Sequence, residues 1–343
     1  LPEGLALTPL PAAPRRAGGV TGSGAVFAFD YTGPEGAIAI NRLLKAGASV
    51  SVSRPLAASA GGTGRAVEVS GVPLKTIQEV SAALGLQTRA TAKRAAMPAT
   101  AIKAPRIGLY QPWTASMDEG WTRWVIEQHE FPYTTLHNAE VKAGNLRDRF
   151  DVILFADQAA NAIVSGNAAP GTRPEYRGGI GDDGVAALKA FVGAGGTLVM
   201  LGNACDLALE HFPLPVKNLK RGLTRDQHFA PGTIMNVEVD TAHPLGAGVA
   251  ARTCGFYNNS PFFALTEGFS SQQVTVAARY PNLNVVASGW LRGEEHMAGR
   301  AAVVTVDLKP GRIVLFGLRP QHRAQTQATF PMLFNALYLA ANQ

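Results

Sequence analysis

The sequence predicts an α/β protein with a doubly wound, mainly parallel sheet and antiparallel strands towards its C-terminal end, preceded by a small α/β domain. Three observations lead there. Strand-like and helix-like segments alternate from Arg106 onward. After Leu209 strand-like segments follow one another without helices between them. A separate strand–helix–strand unit starts at Ala25 and is cut off by a Lys/Arg/Ala/Pro-rich stretch that runs to Pro105.

Taken in order, Leu1 to Gly24 is rich in Pro, Gly and Ala without helical or strand periodicity, and reads as an interdomain linker over residues 1–24. The string AVFAFD, a helix opened by Pro34 and closed by Gly47, and the alternating ASVSVS form a βαβ-type unit. A second helix spans Leu74 to Leu84 and stops at Gly85. These define a small domain over 25–100. The larger domain, 104–343, opens with the strand RIGLY. Its first helix is signed by Ser116 and Glu119 as a capping box, with Trp121, Trp124 and Val125 expected on the core face. Strands YTTL and VILF follow, then a long segment from Ala156 to Gly181, a helix from Asp182, and the strand TLVML. The strings IMNVEV, QVTVAAR, NVVASGW, AAVVTVDL and RIVLFG read as largely antiparallel strands, and a helix from about Gln327 to Ala341 ends the chain.

The 343 residues carry a net charge of +6, spread along the chain without the Lys/Arg stripe or interleaved aromatics that nucleic-acid binding needs. The longest apolar runs, such as Thr197 to Leu201, fall far short of the roughly 20 residues that cross a bilayer. The first residue is Leu1 with no basic-then-apolar leader, so a processed product or a piece of a longer protein is expected. Cys205 and Cys254 form an even pair that fits either a disulfide or two thiols.

Cys205, in LGNACDLALEHF, lies just after a strand at a strand-to-helix turn, where nucleophiles of hydrolases sit. Such a turn wants small flanking residues, yet Asp206 and Leu207 follow Cys205, which favours a buried structural cysteine. His137 and Glu140 make an H-x-x-E string, the spacing of two zinc ligands, but His228 and His243 lie in a polar loop and a turn and supply no third ligand. No metal site is expected in this chain. The loops Gln111 to Ser116 and Ala156 to Gly181 follow strand ends, where doubly wound sheets bind ligands. Trp113, Tyr176, Phe229 and Arg319 are the candidate binding residues.

The C-terminal string GRIVLFGLRPQHRAQTQATFPMLFNALYLA resembles the end of class I glutamine amidotransferase-like domains, flavodoxin-like folds in which a late strand runs into a His-Pro-Glu element and a terminal helix. The resemblance implies a Cys–His–Glu triad in active members. Here the element reads Arg319, Pro320, Gln321, so the base and its orienting acid are missing. The chain from Ala25 onward is also similar to the C-terminal region of bacterial zinc carboxypeptidase-like proteins, through GLYQPWTASMDEGWTRW, LRDRFDVILFADQ, LKAFVGAGGTLVMLGNA and GRIVLFGLRPQ. That resemblance implies a secreted or periplasmic parent whose zinc site lies in an N-terminal domain outside this chain. The expectation is a non-catalytic accessory or scaffold portion that docks its own peptidase-like domain, another subunit, a second copy or a ligand. Two alternatives stand beside it: an independent Cys-dependent hydrolase or amidotransferase-like enzyme using Cys205, and a binding component of an assembly whose parent peptidase is degenerate.

Overall fold

The computed structural model describes residues 16–53, 65–95, 98–266 and 273–342, together with Gly4 and Thr8. Most of the segment read as a linker lies outside these residues. Its end does not: Gly19–Gly22 form strand β1.

Strands β2 (Val26–Asp30), β3 (Ser49–Ser53), β4 (Ala66–Ser70), β5 (Gln87–Thr91) and β6 (Ala99–Ile102) join β1 in a sheet of order β1-β5-β2-β4-β3-β6. Helix α1 (Gly33–Lys45) links β2 to β3 and α2 (Leu74–Leu84) links β4 to β5. The βαβ-type unit is real but split, because β4 lies between β2 and β3 and pairs antiparallel with both. The β-α-β-β-α-β order with interleaved strands is the ferredoxin-like arrangement. Pro34 sits in the first turn of α1, where its missing N–H costs nothing, and Gly85 ends α2 at φ +67°, the left-handed cap that glycine adopts without strain. β6 adds to the small sheet beside β3, so the sheet runs past residue 100.

The second sheet holds β7 (Ile107–Tyr110), β8 (Tyr133–Leu136), β9 (Val152–Phe155), β10 (Thr197–Leu201), β11 (Val216–Asn218) and β12 (Thr233–Val239). It continues with β13 (Arg252–Tyr257), β14 (Phe263–Leu265), β15 (Val274–Arg279), β16 (Val286–Ser288), β17 (Ala301–Asp307) and β18 (Arg312–Phe316). Its path is β13-β12-β15-β17-β18-β10-β9-β7-β8. The five strands from β18 to β8 are mutually parallel, and β12, β13, β15 and β17 are antiparallel. Ranked by chain order, the parallel half reads 2-1-3-4-5, the flavodoxin-like winding, with its switch point between β7 and β9.

Helices cover both faces of the parallel half. They are α3 (Met117–Gln128), α4 (Asn138–Lys142), α5 (Leu146–Arg149), α6 (Ala160–Val164), α7 (Gly181–Gly193), α8 (Cys205–His211), the single turn α9 (Glu294–Met297) among the later strands, and α10 (Phe330–Ala340). Period-two alternation sorts the strands between them. Leu198, Met200, Ile313 and Leu315 join Leu188 and Phe191 of α7 in one core, while Val199, Leu201, Val314 and Phe316 join Ile126 of α3 and Leu333 of α10 in the other. This second core continues into the small sheet through Phe27, Ile40 and Val69, and Arg42 of α1 pairs with Glu130 after α3 at 2.7 Å. Both Trp of α3 depart from the expected core face: Trp124 is 45% exposed and Trp121 half-buried, while Val125 and Ile126 take the core positions. Thr122, Val125 and Ile126 recur at the i, i+3, i+4 spacing of one helix face and form the narrow buried stripe.

Candidate functional site

The C-terminal ends of the five parallel strands share one edge, and the residues just beyond them build the site. Asp157 follows β9, Gly202 and Asn203 follow β10, and Arg319 follows β18. Asp118 reaches the edge from the first turn of α3, whose N-terminus is fixed by Ser116, its Oγ accepting from Glu119 N at 3.2 Å. The reciprocal half of the expected capping box is absent, since the Glu119 carboxylate turns to Arg123 instead.

Arg319 bridges the two acids. Its Nη1 donates to Asp118 Oδ2 at 3.0 Å and its Nη2 to Asp157 Oδ2 at 2.6 Å, with side chains 11%, 18% and 10% exposed respectively. Burial pushes the Asp118 carboxyl up from its ordinary range, the Arg319 charge pulls it down, and Asp157 pushes it up again. The other oxygen of Asp157 accepts from the backbone N (2.7 Å) and side-chain Nδ2 (3.0 Å) of Asn203. The carboxylate is thereby committed on both sides.

Gly202 lies at the sharp strand-to-helix turn with φ +56°, and a Cβ built there would stand 2.0 Å from Asp157 Oδ1. In a nucleophile elbow this strained position carries the nucleophile, and the next backbone N–H helps to form the oxyanion hole. Here glycine holds the strained position and Asp157 takes the following amide. Cys205, three residues on, begins α8 and is fully buried, with Sγ donating to Met200 O (3.3 Å) and Phe316 O (3.5 Å). Burial raises its pKa well above that of a free thiol, and Asp206 adds to the effect. Cys254 is also a free thiol, exposed on β13, so the two cysteines are not bonded to each other.

Beyond Arg319, the His322 ring stacks on Phe256 with centroids 3.5 Å apart and planes at 8°, and the Phe256 carbonyl accepts from Arg319 N at 2.9 Å. Burial and the neighbouring Arg319 and Arg323 charges hold His322 down at about 4, so the ring is neutral near pH 7. Gln321, where the resembled element has its acid, is buried and donates to Thr122 Oγ1 at 2.8 Å.

At the β7 and β8 ends, Trp113 stacks on His137 (3.8 Å, 9°) and leans on Tyr176 (4.7 Å, 51°). His137 Nδ1 donates to Gln111 O at 2.8 Å, which fixes the ring. Trp113 and Tyr176 stay 40% and 38% exposed. Of the expected binding residues, these two meet, Arg319 lies on the same strand-end edge, and Phe229 lies elsewhere. Phe229 packs edge-on to Trp290 at 5.8 Å, with Arg225 over its ring at 4.1 Å. The H-x-x-E string is a helix start: the Glu140 carboxylate accepts from His137 N at 3.0 Å, the three-residue reach of a capping box. Among the described residues no group of three or more His, Cys, Asp or Glu side chains is placed to hold a metal ion.

Asp118, Asp157, Gly202 and the stacking role of His137 were not found from the sequence. The available signal was positional. Asp157 and Gly202 follow apolar strands that the pattern does reveal, at the edge where doubly wound sheets place ligands.

No family model matches the chain, and no curated protein matches it. Solved structures do. A protein described as a GMP synthase subunit from Thermoplasma acidophilum is 11% identical, with 69% of this chain and 95% of that one covered at a TM-score of 0.44. PurLQS from Thermotoga maritima is 10% identical over 70% and 100% of the two chains (TM-score 0.46), and a glutamine amidotransferase from Thermotoga maritima is 8% identical over 70% and 99% (TM-score 0.41). None of these comparisons supports the resemblance to zinc carboxypeptidase-like proteins.

Proposed function

We propose that the chain is a non-catalytic accessory module on an amidotransferase-like fold, part of an exported zinc carboxypeptidase-like protein, that docks a folded partner through the aromatic face of its strand-end edge. One observation carries the non-catalytic part of this reading. The place of a nucleophile belongs to Gly202, and the adjacent amide is occupied by an Asp157 carboxylate tied to Arg319. Acyl transfer needs an ionisable nucleophile, a base and free donors for the developing oxyanion. This edge offers a committed carboxylate, an arginine and a glycine.

The resembled peptidase strings support an exported parent whose own N-terminal domain is the docking partner, with a second copy of the chain as the other candidate. Exposed Trp113 and Tyr176 supply rigid aromatic area of the kind that anchors interfaces. The second reading, a Cys-dependent amidotransferase-like hydrolase, shares the architecture of the compared structures. It requires a thiolate at Cys205, which burial opposes.

The test is ammonia release from glutamine and simple amides by the purified chain, with Cys205→Ser alongside. The expected result is no turnover that depends on Cys205. Release above background that Cys205→Ser abolishes would establish the enzyme reading. Docking is checked by sedimentation with and without the separately expressed upstream region, where Trp113→Ala is expected to weaken association by more than about 1 kcal/mol.

A further inference from the structure

A cavity of about 490 Å³ lies between the small sheet, α1 and α10, and shares no lining residue with the strand-end site. Its floor is buried: Tyr31, Ile40, Val52, Ala247, Asn335 and Tyr338 are all less than 9% exposed. Its mouth, at Thr100, Ala242 and Pro244, is open to solvent.

Close-packed interiors seldom leave such a space, and hydrogen bonds explain why this one does not collapse. Tyr31 donates to Asn335 Oδ1 (2.8 Å) and Tyr338 to Asn41 Oδ1 (2.9 Å), which pins the small unit to α10. Asn335 Nδ2 donates to the carbonyls of Leu245 (3.0 Å) and Ala247 (2.8 Å) on the opposite wall. Arg65 Nη2 reaches the carbonyls of Thr241 (2.8 Å), Ala242 (3.2 Å) and His243 (3.2 Å), which fixes the rim. The polar floor groups thus hold each other, and among the described residues Ile40, Val52, Ile102 and Leu339 give the space its aliphatic surface, with Thr100 and Asn342 also lining it. A mostly apolar concave site with a few polar groups at its wall accepts a guest of matching, amphiphilic character. Arg65 is the one charged side chain among the described residues that line the space.

We infer that this cavity is a binding site for a small amphiphile with an apolar chain and an anionic head. The chain fills the aliphatic floor, and the head lies on the Arg65 side. Size and apolar lining match those of ordinary ligand sites.

Calorimetric titration of the full chain with decanoate, 1-decanol and decyltrimethylammonium at pH 8 tests the site. Decanoate is expected to saturate at one per chain and to bind about tenfold tighter than the cation. Leu339→Trp and Ala247→Phe, which fill the space, are expected to weaken decanoate more than about tenfold with native circular dichroism retained. Arg65→Gln is expected to remove the preference for decanoate over decanol. A crystal structure with 10-bromodecanoate gives a readout independent of the variants, with bromine in the cavity expected. Absence of saturable binding, equal or tighter binding of the cation, or bromine elsewhere would overturn the inference.

Discussion

At the strand-end edge of the parallel half, three charged side chains fill the space between strands, whereas the cavity between the small sheet and α10 is walled mostly by hydrogen bonds between neutral groups, with Arg65 at its rim, and left open. Both regions are held by contacts between residues far apart in sequence. At the edge, Arg319 ties Asp118 and Asp157 across positions more than a hundred residues away. At the cavity, Tyr31 meets Asn335. The difference lies in what the contacts consume. The ion triad commits the charged groups at the strand ends to one another. The neutral staples use only groups at the walls, so a space with no topological prominence stays available. Fold alone does not say which concavity works.

The largest effect is expected from breaking the triad. Arg319→Met leaves two carboxylates facing each other with little solvent, and removing one partner of a buried pair costs about 3–5 kcal/mol. Urea unfolding of the variant measures it, and a loss under about 1 kcal/mol would mean that water screens the edge. Next comes Gly202→Ala, where the left-handed backbone costs about 1–2 kcal/mol and the clash with Asp157 adds overpacking strain of about 1–3 kcal/mol. Gly47→Ala is the control. It has φ +83° but nothing within 4 Å of a built Cβ, so only the backbone cost is expected there. Equal losses at the two glycines would show that Asp157 moves aside without resistance.

A smaller effect links both regions to pH. His322 at the edge and His243 at the cavity rim are each held down at about 4, chiefly by burial. Unfolded histidine titrates near 6.5, so between about 6.5 and 4 the unfolded chain binds more protons. Stability is therefore expected to be complete above that window and to fall as pH drops through it. His322→Phe keeps the stack on Phe256 and should flatten the slope in denaturation midpoints taken at several pH values. An unchanged slope in His322→Phe and in His243→Asn would place the titration elsewhere.

The sequence showed much of this frame and little of its use. The Gly85 stop of α2, the Ser116 start of α3 and the strands TLVML and RIVLFG lie where periodicity and capping put them. The strand RTCGFY, now β13, carries a central Gly255 and lacks a run of β-branched residues, so local pattern did not reveal it. Trp124 is apolar yet exposed, because composition cannot say which edge of a helix stripe meets the core. At the site, Arg319 was legible through the strings around it. Its partners Asp118 and Asp157 were not, since an ion pair across such separations leaves no periodic trace. Cys205 drew notice as a rare residue near a turn, while the turn itself belongs to Gly202, whose importance lies in a backbone angle.

The account's central claim is that the turn after β10 carries no nucleophile and that Cys205 is a buried, protonated thiol. Its most direct test is iodoacetamide labelling of the native chain at pH 7.5, mapped by peptide mass spectrometry. Exposed Cys254 provides the internal reference. The account predicts that Cys254 is labelled while Cys205 stays unmodified until the chain is unfolded in guanidinium. Labelling of Cys205 in the folded protein, as fast as or faster than Cys254, would contradict it.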